Sequence, residues 1–304
     1  MFILFITSFG SNDGYGPPAI VFAPIDFEKL IISFEFSNKF NEFETASIYS
    51  IDETTKSGFF KFVWGGHYRK YYSKPIKAQV VSLDTFMGGL KPMRRGGGKQ
   101  SNSLRLEDRN GKQYVMRAIR KNAIKFIQNA GFKDKYVTEK LKETSFDALM
   151  LDFFTTAHPY TPFAVGELSK AVGIYHTNPK IYYIPKQKTL GMFNDDFGDE
   201  LYLIEERVES NHNDLESFGK PEEILSTDDV FKEIFKNGKS HVDEPSYIRA
   251  RLFDMLIGDW DRHEDQWRWA LFNNPDGTKT YKPIPRDRDQ AFSIFDGNLL
   301  SSVS

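Results

Sequence analysis

The chain of 304 residues contains no cysteine. Disulfides and thiol catalysis are therefore excluded, while reducing and oxidising compartments both stay open. It also has no apolar run approaching the ~20 residues of a membrane helix. Residues 1–9 are apolar but lack a basic flank and a convincing cleavage site, so they read poorly as a signal peptide. Neither charge is in excess: 40 Lys and Arg face 42 Asp and Glu, a formal net charge of −2. That balance argues against bulk nucleic-acid binding. Repeats and low-complexity tracts are absent as well. What the chain does have is aromatic residues, 15% of the total with 28 Phe, and enough length for one large or two medium domains with sizeable cores.

Chemistry concentrates in residues 247–292. Ile248, Leu252, Met255 and Leu256 recur at helical spacing, which predicts an amphipathic helix over 247–257 with that stripe as its apolar face. Gly258 stands where the helix should stop. Residues 259–266 form a polar loop with Asp261, His263 and Gln266. Residues 267–272 and 278–284 read as strands joined by the turn Asn273-Asn274-Pro275-Asp276-Gly277, and Asp287 and Asp289 follow. A hairpin brings its ends together, so Asp261 and Gln266 should lie beside Asp287 and Asp289. Clustered carboxylates repel unless a cation offsets them. Mg²⁺ takes oxygen ligands from one or two carboxylates and leaves room for phosphates, and a separate Asp could accept a hydroxyl proton. The constellation therefore suits metal-assisted phosphoryl transfer. Its plainer explanation is a set of salt bridges with Arg262, Arg286 and Arg288.

Earlier segments supply other parts. Residues 27–36, 59–64 and 77–83 read as strands, and lone His67 reads as a structural hydrogen-bonder. A domain boundary is expected near residue 80. Gly96, Gly97 and Gly98 lie in a basic, glycine-rich segment that feeds a hairpin, 101–107 and 113–119, turned by Asn110-Gly111. Glycine amides can cradle phosphates, with Arg117 as the cation on the following strand. Neither G-x-G-x-x-G nor a Walker A motif is present, and Arg is not equivalent to the usual Lys. Helices are expected over 133–141, 145–157 and 163–172. The last carries Glu167, a possible partner for Arg117. Strands are expected over 180–184 and 201–208, and residues 211–219 read as a polar linker or hinge.

Taken in order, these parts are a glycine-rich loop, a hairpin with a cation, a helix with Glu, two strands, a linker, a helix, an acidic loop, a hairpin and an acidic pair. The sequence over roughly 96–292 resembles the spore-coat CotH kinase family of the protein-kinase-like superfamily. In that family a strand ends in Glu, like Leu201-Tyr202-Leu203-Ile204-Glu205 here. A loop Asp-x-His-x-x-Asn-Tyr is similar to Asp261-Arg262-His263-Glu264-Asp265-Gln266-Trp267. Ile-Pro-Trp-Asp-x-Asp before an aromatic is similar to Ile284-Pro285-Arg286-Asp287-Arg288-Asp289 and Phe292. The Asp-Arg-His also looks like the catalytic loop of phosphoinositide-type kinases.

The resemblance implies an α+β, two-lobed protein-kinase-like fold, with a β-rich N-lobe over about 81–208 and a mixed C-lobe over about 209–304. A small β-rich segment, residues 1–80, would precede it. It implies ATP and Mg²⁺ or Mn²⁺ as cofactors and an unknown hydroxyl acceptor as partner. Asp261 and His263 would be the catalytic-loop residues, and Gly96–Gly98, Arg117, Glu167 and Glu205 would line the nucleotide site. Gln266, Asp287 and Asp289 would hold metal. Gln266 for Asn and Arg117 for Lys depart from the pattern and keep a silent pseudokinase open.

The phrases over residues 96–106, Gly-Gly-Gly-Lys-Gln-Ser-Asn-Ser-Leu-Arg-Leu, and 252–263, Leu-Phe-Asp-Met-Leu-Ile-Gly-Asp-Trp-Asp-Arg-His, look like a region of Bacteroidetes-type cell-envelope proteins. There it accompanies a metallophosphoesterase domain or an outer-membrane barrel. On that resemblance the chain is expected to be a piece, truncated at its C-terminus, of a protein of the periplasm or cell envelope. The phosphoesterase motif Gly-Asn-His-Glu is missing. A catalytically silent scaffold and a metal-dependent phosphate-ester hydrolase remain as alternatives to the kinase.

Overall fold

The computed structural model describes residues 3–5, 21–23, 42–97, 100–123, 145–236 and 238–298. It divides into two compact units, Met1–Asn38 and Lys39–Ser304. In the first, strands β1 (Ile3–Phe5) and β2 (Val21–Ala23) pair antiparallel. The second is a mixed α+β unit. The strand expected over 27–36 and the helix expected over 133–141 lie outside the described residues.

Seven strands of the second unit form one sheet: β3 (Phe43–Ala46), β4 (Ile76–Val80), β5 (Lys91–Arg95), β6 (Ser101–Glu107), β7 (Gln113–Lys121), β8 (Lys180–Ile184) and β9 (Glu200–Glu206), in the order β3-β4-β8-β9-β7-β6-β5. The boundary expected near residue 80 falls inside this sheet, because β4 pairs with β8 through Gln79 and Val80. Alternation along the strands fixes its faces. Leu104, Leu106, Met116, Ala118, Tyr202 and Ile204 point into one buried core with Leu83, Leu190 and Phe197. Ser103, Arg105, Val115, Arg117 and Glu205 take the opposite face.

Three short helices, α1 (Ile51–Thr54), α2 (Gly58–Trp64) and α3 (Arg69–Ser73), separate β3 from β4. Helix α2 replaces the strand expected over 59–64. The Ser57 side chain accepts from Phe60 N at 3.1 Å and caps this helix, a local signal that outweighs the strand preference of its aromatics. Helices α4 (Ser145–Phe154) and α5 (Thr161–Ala171) precede β8. Buried Arg69 grips buried Asp152 of α4 through Nη2 at 2.7 Å. His67 is enclosed beside Thr155, Asp152 and Asp296, the structural position expected of it.

The remaining strands form a four-stranded sheet, β10 (Glu223–Leu225), β12 (Trp267–Asn273), β13 (Lys279–Pro285) and β11 (Ser240–Val242), in that order across it. Helices α6 (Thr227–Lys236) and α7 (Glu244–Ile257) accompany it. The segment expected as a polar hinge, 211–219, is packed instead. His212 and Phe218 are buried, and Phe218 joins a small core with Val208, Ile224, Ala270 and Ile284.

Helix α7 begins where Asp243 accepts from Ser246 N at 3.0 Å and ends at Gly258, whose φ of 65° is the left-handed cap the sequence suggests. Its orientation reverses the expectation. Ile248, Leu252, Met255 and Leu256 are 55%, 60%, 72% and 54% exposed, while Ala250, Phe253, Asp254 and Ile257 are buried. Burial follows Asp254, which is fixed by Arg251 on its own helix and by Arg262 and Arg288 beyond the helix's C-terminal end, and the apolar stripe is carried to the outside. Among the described residues no helix is long and apolar enough to cross a membrane.

Candidate active site

A cleft of about 350 Å³ lies between the open face of the large sheet and the loops at the base of the β12–β13 hairpin. The hairpin registers Trp267 against Pro285, and Arg286 N donates to Gln266 O at 2.9 Å. That pairing sets residues 261–266 beside residues 286–289, as the sequence implies. Asp261, His263, Gln266, Asp287 and Asp289 all line the cleft, facing Gly96, Gly97, Arg117 and Glu205 from the sheet. Gly98 lies outside the described residues. Gly96 approaches β6 so closely that a Cβ would come 2.2 Å from Ser103 Oγ, whereas Gly97 has open space around it.

Arg117 is the centre of the arrangement. Its guanidinium is ion-paired with Asp287 and lies 3.6 Å from Glu205. Glu205 shares its face because β9 runs antiparallel to β7, with Leu203 opposite Arg117. Burial alone would lower the proton affinity of Arg117, but Asp287 and Glu205 outweigh it and raise it. Burial raises Glu205, opposed by Arg117 and by a 2.7 Å hydrogen bond from Thr177 Oγ1. Burial would likewise raise Asp287, but Arg117, then Lys121 and Arg286, hold it below the ordinary carboxylate range. Asp287 is also a non-glycine residue at φ 55°, a sparsely populated conformation that clusters at functional sites. Lys121 pairs with Asp289 at 2.5 Å.

Glu167 does not take part. It lies exposed on α5, whose inner face carries Phe163, Ala164 and Val165, and Glu205 fills the place expected of it beside Arg117. The carboxylate of Asp261 has no ion pair or hydrogen bond among the described residues. His263 is exposed, with Nε2 3.4 Å from Gln266 Nε2.

Beneath the cleft, Arg262 ties the two acidic segments together, a role sequence reasoning assigned only as generic salt bridging. It is buried, donates to the Asp259 carboxylate and to the Arg286 carbonyl, and places Nε 3.3 Å from Asp254. Asp254 is also approached by Arg251 at 3.1 Å and Arg288 at 2.9 Å. Burial raises Asp259 to about 6, with Arg262 and Arg288 pulling it down. The cluster links the backbone segments that carry Asp261 and Asp287. Only the dense alternation of acids and arginines over 254–289 could have signalled it.

Compared with protein-family models, curated proteins and solved structures, the chain matches none of them.

Proposed function

We propose that this cleft is the nucleotide site of an atypical kinase-like phosphotransferase that uses ATP with Mg²⁺ or Mn²⁺. The observation that carries the reading is Arg117 held between Glu205 and Asp287, under a glycine-bearing hairpin and opposite an unpaired Asp261. The glycine segment joins β5 to β6 and the cation follows on β7, the arrangement with which kinases hold phosphates. Arg117 would contact phosphate oxygens, and Glu205 would keep its fork aimed into the cleft.

The donor set suits a hard divalent ion. No group of three or more acids and histidines gathers among the described residues; Asp287 and Asp289 line the cleft with Gln266 beside them. Mg²⁺ prefers such sites, taking one or two carboxylates and completing its shell with waters and phosphates. The low proton affinity of Asp287 keeps it ionised at neutral pH. When bound, the ion would neutralise charge on the phosphates. Asp261 would accept the proton of an acceptor hydroxyl. Arg262 would link the segments that carry Asp261 and Asp287.

A second reading, a catalytically silent scaffold of the same fold, is favoured by two observations. Asp287 and Asp289 are already neutralised by Arg117 and Lys121. Among the described residues lining the cleft, Val115 and Val208 are the only apolar side chains available to hold a base. Calorimetric titration with ATP separates the readings. The phosphotransferase binds ATP only with Mg²⁺ or Mn²⁺ and loses binding in Asp287→Asn. A folded protein that binds no nucleotide is the scaffold.

A further inference from the structure

The acidic end of the cleft serves the reading above, and the other end has a different character. Its walls carry Arg105 on β6, Arg207 after β9, Arg268 on β12 and Arg286 after β13. Arg94 stands directly across from Arg105 in the β5–β6 ladder. Like charges directly opposite each other on antiparallel strands destabilise a sheet, so stability does not explain the pair.

Little acid offsets this wall. Glu209 lies 2.7 Å from Arg207 and 4.0 Å from Arg268. Glu205 belongs to Arg117, and Glu206 accepts from Asn178. Arg105 and Arg286 make no direct salt bridge among the described residues, although Glu209 acts on Arg105, and Asp287 and Glu205 act on Arg286, from further away. Burial, then Arg207 and Arg94, lowers the proton affinity of Arg105. Burial, then Arg268, lowers Arg286 to about 10. Arg105, Arg207, Arg268 and Arg286 thus crowd around one cavity with Glu209 as their nearest shared acid.

A guanidinium fork matches phosphate bidentately, and a phosphomonoester brings a charge of roughly −1.5 to −2 at neutral pH. The phosphates of a nucleotide already have Arg117 and Lys121 at the acidic end. We propose that the arginine wall is an anion subsite for a small acceptor that already carries a phosphomonoester group. The acceptor role rests on the phosphotransferase reading, whereas the anion subsite does not. In the reaction, the bond from the γ-phosphorus to the β–γ bridging oxygen breaks and a bond to the acceptor hydroxyl oxygen forms. The hydroxyl proton passes to Asp261, and ADP leaves with the bonding pair.

The test compares thermal melts and calorimetric titrations of the wild type, Arg105→Gln/Arg268→Gln and Asp287→Ala. The probes are fructose bisphosphate in EDTA, ATP with Mg²⁺, and sulfate at matched ionic strength. The wild type is expected to be stabilised by the bisphosphate without metal and beyond the effect of sulfate. The double variant is expected to bind it about tenfold more weakly or worse, the scale of one lost charge-assisted hydrogen bond, and to keep its affinity for ATP with Mg²⁺. Asp287→Ala is expected to do the reverse. The double variant removes like-charge repulsion but also the contact of Arg268 with Glu209 and its bond to the Trp267 carbonyl, so its unliganded melt is recorded as the reference; Arg105→Gln alone serves where the double variant does not fold. No bisphosphate effect beyond sulfate, or an effect the glutamines leave unchanged, overturns the subsite. Parallel loss of ATP affinity also overturns it, by making the wall part of the nucleotide's own site. A bisphosphate effect without any ATP effect upholds the subsite and removes the phosphotransferase reading and with it the acceptor role.

Discussion

Replacing Arg262 with alanine removes the side chain that joins the two acidic segments, and the structure sets the size of the effect. Asp254 keeps Arg251 at 3.1 Å and Arg288 at 2.9 Å. The fully buried Asp259 carboxylate accepts from Arg262 alone among the described residues. Stranding a buried ion in this way costs about 3–5 kcal/mol, a large share of a total near 5–15 kcal/mol. In a domain of this size the melting temperature should fall by roughly 10 °C. The loss should also depend on pH. Burial raises the Asp259 carboxyl to about 6 while Arg262 pulls it down, so removing Arg262 raises it further. A carboxyl whose folded pKa exceeds its unfolded value stabilises the fold fully below the unfolded value. It loses that contribution as pH rises through the folded value. The deficit of Arg262→Ala should therefore be largest at about pH 8 and shrink toward about pH 5. Urea unfolding at the two pH values measures it. The double variant Asp259→Asn/Arg262→Gln should recover most of the loss, because no ion is left stranded. A deficit under about 1 kcal/mol at the higher pH, or one equal at both, refutes this account of the cluster.

Three further expectations follow from placement. Leu252→Lys and Met255→Lys on the outward face of α7 should each change stability by less than about 0.5 kcal/mol, against about 3–5 kcal/mol for buried Phe253→Ala, read by urea unfolding. Glu205→Gln should weaken binding of ATP with Mg²⁺ by about tenfold while Glu167→Gln leaves it unchanged, read by calorimetry. Gly96→Ala should disturb the loop and weaken the same binding, because its Cβ would meet Ser103 Oγ, whereas Gly97→Ala has room and should bind like the wild type.

Much of this arrangement was legible in the sequence because the signals were local. The Asn110-Gly111 turn, the 273–277 turn and Gly258 each fix an element end, and hairpin closure alone brings Asp261 and Gln266 to Asp287 and Asp289. The rest depended on which face turned inward. Helical spacing located α7 but assigned its core side to the apolar stripe, since the pattern cannot register that Asp254 is fixed by three arginines remote in the chain or on its own helix. The same limit exchanged Glu167 for Glu205. A helix carboxylate and a strand carboxylate look alike until the β7–β9 pairing puts one of them on the face of Arg117. At 59–64 the aromatics suggested a strand, and the capping hydroxyl of Ser57 decided for a helix.

The measurement that bears most directly on the central claim is a thermal melt of the wild type and Asp287→Ala, each with and without ATP plus Mg²⁺ or Mn²⁺. A ligand that binds the native state alone raises the melting temperature. The account expects a rise in the wild type that requires the metal and disappears in Asp287→Ala. A cooperative melt that no nucleotide shifts, or a shift that survives in Asp287→Ala, would contradict a nucleotide–metal site at Arg117, Glu205 and Asp287.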